Sequence, residues 1–223
     1  PATGDESKHD DAVVASVICP AHGPVVSSSV TELVREYRSW TNKQTSAADK
    51  TSVAIIYASA YGNTGAMAQA IARGVAKTGV AAEMLNCELS TPAEVEEVLK
   101  RNAGFALGAP TLGGTLPTPV QTALGAIVKG ADLEKPCGAF GSFGWSGEAV
   151  EMISKRLTDA GFKSAFEPLR CKFKPTAETL QLCEESGTDL AQEVRKMARR
   201  KEMIERKSLG KSLSGTNDAA AAM

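Results

Sequence analysis

The residues Ser59-Ala60-Tyr61-Gly62-Asn63-Thr64 stand between a run built for a buried strand and the start of a helical pattern. Such a junction can hold an anion. Val53 to Ala58 (V-A-I-I-Y-A) is short and apolar, with the branched content of a strand, while Met67, Ile71 and Val75 recur at the spacing of one helix face. The segment is therefore a strand-to-helix turn, whose free backbone N–H groups and helix-dipole end suit a phosphate monoester. Ser59, Asn63 and Thr64 bring side-chain donors, and Gly62 lets the backbone approach a ligand closely. Taken alone, the segment is equally well read as a capped turn.

Two further loops change that balance. Ala109 to Thr118 (A-P-T-L-G-G-T-L-P-T) is long, glycine-rich and framed by prolines; Gly141 to Glu148 (G-S-F-G-W-S-G-E) sets Phe143 and Trp145 between glycines. In an open α/β sheet, ligands gather beyond the carboxyl ends of the strands at the switch point, here between strands one and three, so all three loops are expected to meet. An aromatic residue on a glycine-rich loop beside a phosphate site suits a flat ring, with backbone amides reaching its polar rim. The ligand this predicts is a phosphorylated planar cofactor, FMN. The G-x-x-x-x-G-K-S/T loop of nucleoside triphosphate sites is absent, as is the G-x-G-x-x-G of dinucleotide folds. For Trp145, packing and stacking both remain open.

His22 is a different kind of candidate. It lies in P-A-H-G-P, behind the strand-like run Val13 to Ile18 (V-V-A-S-V-I), and a histidine held by turn residues commonly ligates metal. No cluster of His, Asp or Glu elsewhere completes such a site, so the residues alone favour a loop histidine. His9, in a polar tail, is expected to face solvent. The five cysteines, Cys19, Cys87, Cys137, Cys171 and Cys183, are odd in number and widely spread, which predicts buried thiols in a reducing compartment.

The elements that position these residues follow from patterning. Strands are expected near 53–58, 80–85, 104–109, 136–141 and 165–172, and helices near 64–78, 92–101, 118–129, 147–160 and 176–199. Thr91, Pro92 and Glu94 form an N-terminal capping signal, and Gly79 and Gly161 follow their helices where a left-handed residue is common. Leu180, Cys183, Gly187, Leu190, Val194 and Met197 mark the buried stripe of the last helix. Alternation of strand and helix predicts a doubly wound five-stranded parallel sheet, order 2-1-3-4-5, with helices on both faces. Before it come a polar tail to about residue 12, a short helix from Thr31 carrying Leu33, Val34, Tyr37 and Trp40 on one face, and a polar linker over 41–50. After it, residues 201–223 lose helical periodicity and read as a linker toward a further domain. The basic cluster Arg195, Lys196, Arg199, Arg200 and Lys201 is interleaved with Glu193 and Glu202, as on a solvated helix end.

Composition bounds the rest. A chain of 223 residues with 43% hydrophobic content and a formal net charge of -1 buries one good core and has no bulk attraction for nucleic acid or anionic membrane. No apolar run approaches the roughly 20 residues needed to span a bilayer. No secretory signal is read at the acidic, polar start, and an opening on Pro1 in place of Met suggests a piece of a longer protein.

Together, C-P-A-H-G-P-V, a helix ending Y-R-S-W, the linker, S-A-Y-G-N-T and G-S-F-G-W-S-G-E resemble the flavodiiron proteins. The resemblance implies the C-terminal end of a metallo-β-lactamase-like diiron domain over 1–40, then a flavodoxin-like FMN domain over 51–200. It implies that Ser59, Ala60, Tyr61, Gly62, Asn63 and Thr64 surround the phosphate, and that Pro110, Thr111, Leu112, Gly113, Gly114 and Thr115 with Ser142, Phe143, Gly144, Trp145, Ser146 and Gly147 flank the isoalloxazine. Ala60 departs from the family pattern, where a hydroxyl or larger side chain is often found, and predicts a more easily lost FMN. His22 matches the final His ligand of the diiron centre, a centre held only by the intact protein. The tail resembles the three-domain members of oxygenic phototrophs, which add a flavin reductase module and reduce O2 to water in the chloroplast stroma or cyanobacterial cytoplasm. An electron donor such as NAD(P)H or ferredoxin acting through another domain, and a homo- or hetero-dimer, are implied as well. The other reading is a free-standing flavodoxin-like carrier or NAD(P)H:quinone reductase. A flavin-free response module would need an acidic pocket where Ser59, Ala60 and Tyr61 stand.

Overall fold

The run read as the first strand forms β1, Ser52–Tyr57, and Val53, Ala54, Ile55 and Ile56 are all fully buried. An unbroken apolar run, as opposed to alternation, is what a strand covered on both faces requires. In the computed structural model, which describes residues 17–19, 25–38, 51–130 and 132–220, with side chains to 204, β1 lies between β2 and β3 in a five-stranded sheet of order β2-β1-β3-β4-β5. The other strands are β2 Ala81–Asn86, β3 Gly104–Gly108, β4 Cys137–Phe143 and β5 Leu169–Lys172. Every pairing is parallel, with Val53 opposite Gly104, Phe105 opposite Cys137 and Phe140 opposite Leu169.

The chain divides into two units, Pro1–Lys43 and Gln44–Met223. In the first, Ile18 and Val26 pair antiparallel through hydrogen bonds of 2.9 and 3.0 Å, and a helix, α1, covers residues 30–38. On its expected apolar face Val34 is half-buried and Leu33 and Tyr37 are exposed. His22, His9 and Trp40 lie outside the described residues, as does the expected linker over 41–50. Cys19 corrects the expectation of uniformly buried thiols: it is exposed, being the neighbour of half-buried Ile18 in an extended segment, where successive side chains face opposite ways.

In the second unit the helices are α2 Asn63–Lys77, α3 Pro92–Arg101, α4 Thr118–Gly130, α5 Glu148–Asp159 and α6 Ala177–Ala220. Val53, Ile55, Ala106 and Phe140 pack with α2 and α6 through Met67, Ile71, Leu190 and Val194. On the other face, Ile56, Phe105 and Leu107 pack with α3, α4 and α5 through Val98, Leu124 and Ile153. The capping box at α3 is present: Glu94 N–H donates to Thr91 Oγ1 at 3.3 Å and Thr91 N–H to a Glu94 carboxylate oxygen at 2.7 Å. No helix among the described residues is long and apolar enough to cross a membrane.

Two boundaries differ from expectation. β5 begins at Leu169 and not near 165, because Pro168 offers no N–H to the ladder and the Ser164 hydroxyl turns back on Phe166 C=O at 2.6 Å. The final helix runs on to Ala220, across the stretch expected to be irregular. Pro is absent there, and backbone helix does not require an apolar stripe.

An ion pair closes one edge of this unit. Arg101 Nε donates to Glu83 Oε2 at 2.9 Å and Asn102 Nδ2 to the same oxygen at 2.7 Å. The Arg101 hydrogen bond, helped by Asn102 and by the Arg101 charge, outweighs burial and holds the Glu83 carboxyl below its ordinary 4.5. A depressed folded pKa stabilises the fold above the unfolded value and loses that contribution as the pH falls through the folded one. Glu83→Gln is therefore expected to lower the melting temperature at pH 7, with the gap from wild type closing as the pH drops below 4.5. Thermal melts across that range check it; a gap that does not change with pH would show the charge to be irrelevant.

Candidate functional site

The turn after β1 ends on Gly62, which takes φ +80° as the N-cap of α2 and has nothing within 4 Å of where a Cβ would stand. The N-cap residue itself offers no side-chain cap and the first turn carries no acid. Ser59 Oγ accepts the Gly65 N–H at 2.9 Å, and Ser59 N–H donates to Glu88 Oε2 at 2.9 Å. Between those amides, the N–H groups from Ala60 to Thr64 have no acceptor among the described residues. A left-handed glycine, open space and a run of unclaimed N–H groups at a helix start form an anion cradle. Ala60 and Tyr61 are exposed, the latter to 86%, and Asn63 is half-buried. Thr64 is fully buried, and its hydroxyl shares a 2.8 Å hydrogen bond with the Ser142 hydroxyl, itself buried.

That bond ties the first loop to the third. The second is tied in as well: Thr111 N–H donates to Ser142 C=O at 2.9 Å, and Thr111 Oγ1 accepts the Ala149 N–H of α5 at 3.2 Å. Beyond buried Pro110, Leu112 and Thr115 exchange N–H···O bonds of 3.1 Å around Gly113 (φ +57°) and Gly114 (φ +74°). Positive φ at both central residues is the tight hairpin turn that only such residues make cheaply. Its glycines have open space in front of them. The three loops expected to meet do so.

In the third loop the two aromatic residues have parted company. Trp145 is 91% exposed. Phe143 is half-buried beneath Arg170, whose guanidinium lies 5.3 Å from the ring centroid and also donates to Ser146 C=O at 2.9 Å and to Glu151 Oε1 at 2.5 Å. Gly147 takes φ +80°, and a Cβ there would sit 2.8 Å from the Phe143 ring. Arg170 thus clamps the loop from behind. Gly144 is half-buried, and Ser146 Oγ donates to Glu148 at 2.7 Å. The Ser146 hydroxyl, with the Glu148 amide and the Arg170 charge, keeps the Glu148 carboxyl below the usual range.

Sequence reasoning missed Arg170 and Glu88. Arg170 is an outward residue of a short strand (L-R-C-K) and looks solvated until its partners are known. Glu88 carried a weak signal: it is a carboxylate just past the carboxyl end of β2, the strand beside β1. Nearby Cys87 is buried, which pushes its thiol up to about 11 and keeps it neutral. Among the described residues no three His, Cys, Asp or Glu side chains lie close enough to share a metal ion.

An open parallel sheet of order 2-1-3-4-5, with an anion cradle after β1 and glycine-rich loops after β3 and β4, defines a doubly wound domain of the flavodoxin type. The chain belongs to the flavodoxin family, whose pattern matches residues 55–187. Among its relatives, the putative diflavin flavoprotein A 6 of Nostoc is 56% identical over 175 residues, which are 78% of this chain and 30% of that protein. The chain thus spans about a third of the length of the curated relatives it matches. The metal-soaked Flv1 flavodiiron core from Synechocystis superposes with a TM-score of 0.74 at 51% identity, over 82% of this chain and 45% of that one. The rubredoxin oxygen:oxidoreductase of Desulfovibrio gigas superposes with a TM-score of 0.63 at 25% identity, over 81% and 44% of the two chains.

FMN is the cofactor of flavodoxin domains, and the residues present here fit it. The unclaimed amides match a phosphate, the space before Gly62, Gly113 and Gly114 is open, and the Tyr61 and Trp145 rings are exposed.

Proposed function

We propose that this chain is the FMN-binding electron-transfer module of a flavodiiron oxidoreductase that reduces O2 to water. The observation that carries the reading is the set of amides from Ala60 to Thr64, without an acceptor among the described residues and fronted by open space at Gly62. Similarity to diflavin flavoproteins and to a flavodiiron core supports the wider assignment. Bound FMN supplies one- and two-electron transfer between a two-electron donor and a metal centre.

The chain's own residues bind and orient. Ser59, Ala60, Tyr61, Gly62, Asn63 and Thr64 surround the phosphate, chiefly through backbone N–H groups; Ala60 brings no hydroxyl, so affinity falls below that of a tight flavodoxin. Pro110 to Thr115 and Ser142 to Gly147 flank the isoalloxazine. Phe143, held by Arg170, supports the third loop, and Trp145 offers the ring that faces the ligand. His22 is a diiron ligand of the intact protein. The donor, NAD(P)H or ferredoxin, acts through another domain, and the intact protein works as a homo- or hetero-dimer. Relatives from cyanobacteria support a phototroph setting, the chloroplast stroma or a cyanobacterial cytoplasm.

Titration of the purified chain with FMN, followed by flavin fluorescence, tests the module. Saturable 1:1 binding is expected, with riboflavin weaker by about a hundredfold, the worth of a few charge-assisted hydrogen bonds to the phosphate. Absence of any bound FMN would overturn the reading. The wider assignment is tested on the full-length protein, where O2 uptake should require both flavin and metal; an upstream reading frame without an H-x-E-x-D-H pattern would sink it.

A further inference from the structure

Past the end of β2 the chain turns through Cys87, Glu88, Leu89 and Ser90. Glu88 is fixed in this turn by its own N–H, which donates to Asn86 Oδ1 at 3.0 Å. Its carboxylate accepts the Ser59 N–H at 2.9 Å. Ser59 is the first residue of the anion cradle. The fold therefore holds a carboxylate at the rim of the place where a phosphate is to bind.

Among the described residues no cationic nitrogen lies within ion-pair distance of that carboxylate. Glu88 also lines a cavity of about 330 Å3 together with Cys87, Ser90, Thr118 and Thr122 among others, which contribute hydroxyls and a neutral thiol but no cation.

We propose that Glu88 is a selectivity residue of the flavin site, lowering its affinity for a phosphorylated flavin while leaving its affinity for the unphosphorylated ring system untouched. This rests on the FMN reading above. Two effects act in the same direction. A carboxylate and a phosphate dianion repel across a short, partly wet gap. A carboxylate also holds the Ser59 N–H more firmly than a neutral acceptor does, so the turn adjusts less readily to the phosphate. Both act on the phosphate and neither acts on the isoalloxazine.

The test is Glu88→Gln in the protein as it stands, titrated with FMN and with riboflavin. A glutamine oxygen still accepts the Ser59 N–H, so the turn keeps its shape, and thermal melts of the variant verify that it folds. The FMN Kd is expected to fall about threefold to tenfold, the range for like charges near a protein surface, with riboflavin shifting by less than about twofold. Glu97→Gln, which removes an exposed charge from α3, is expected to change neither and corrects for bulk charge. Unchanged or weaker FMN binding in Glu88→Gln would overturn the proposal; weaker binding would show the carboxylate to be a strut of the cradle. Equal tightening of riboflavin, or equal tightening by Glu97→Gln, would overturn it too. If the wild-type chain binds FMN and the variant gains nothing, only the role of Glu88 fails; if the wild type binds no FMN, both readings fail.

Discussion

Gly74→Ala is expected to destabilise the protein by about 3 kcal/mol and lower its melting temperature by roughly 10 °C. An alanine Cβ at this position would stand 1.9 Å from the carbonyl oxygen of Glu184 and 2.9 Å from its Cα. Those are backbone atoms of α6, so no side-chain rotation relieves the overlap and the helices must move apart. The contact is mutual: a Cβ on Gly187 would lie 2.2 Å from the carbonyl oxygen of Ile71 on α2. Thr188 bridges the crossing, its hydroxyl 3.2 Å from Gly74 C=O and 3.1 Å from Glu184 C=O. Separating α2 from α6 would also loosen Met67, Ile71, Leu190 and Val194, all fully buried. Alanine improves helix propensity by up to about 1 kcal/mol, which falls short of the clash. Gly125→Ala isolates that propensity gain, because Gly125 is an exposed helical residue with nothing within 4 Å of its Cβ position. It is expected to raise the melting temperature slightly. Differential scanning calorimetry on both variants decides the matter; a Gly74→Ala protein as stable as wild type would mean that the helices are not in backbone contact.

Such a crossing is invisible in the sequence, whereas much of its surroundings is not. The sheet order was legible because each strand is a short apolar run and each connection a helix with its own start and stop signals. Gly79 and Gly161, expected in left-handed positions, take φ +79° and +97°. The three ligand loops were legible for the same reason: glycine, proline and hydroxyl residues at strand ends state their conformations locally. What each side chain does there was not legible. The expected reach of Thr64 toward a phosphate says nothing of its bond to Ser142, 78 residues away. Phe143 and Trp145 look alike in the sequence; Arg170, contributed by β5, holds one ring and leaves the other at the surface. The Glu88 contact with Ser59 likewise joins strands that are neighbours in space and 29 residues apart in the chain. Periodicity reports burial and backbone state; partner choice at a loop depends on the register of distant strands. The continuation of the last helix beyond residue 199, to Ala220, was not legible for a related reason. An apolar stripe is evidence that a helix packs, and its absence says nothing about the backbone.

The buried hydroxyl pair offers the sharpest separation of fold from ligand binding. Thr64→Val keeps the shape of the side chain and removes its hydroxyl, leaving the buried Ser142 Oγ without its 2.8 Å partner. An unsatisfied buried hydroxyl costs about 1–3 kcal/mol, and the apo protein is expected to lose stability in that range. If the Thr64 hydroxyl also serves the phosphate, as its place in the first turn of α2 suggests, FMN binding should weaken about tenfold to a hundredfold, the worth of one hydrogen bond to a charged group. Thr64→Ser retains the hydroxyl and should restore most of that affinity. Thr64→Val with Ser142→Ala separates the two roles. Replacing both partners by apolar groups leaves no orphaned polar atom, so stability should recover toward wild type while FMN affinity stays low. Thermal melts of the apo proteins and fluorescence titrations with FMN measure the two quantities independently. Should affinity return together with stability in the double variant, the hydroxyl would be a tie between the first and third loops with no part in holding the phosphate.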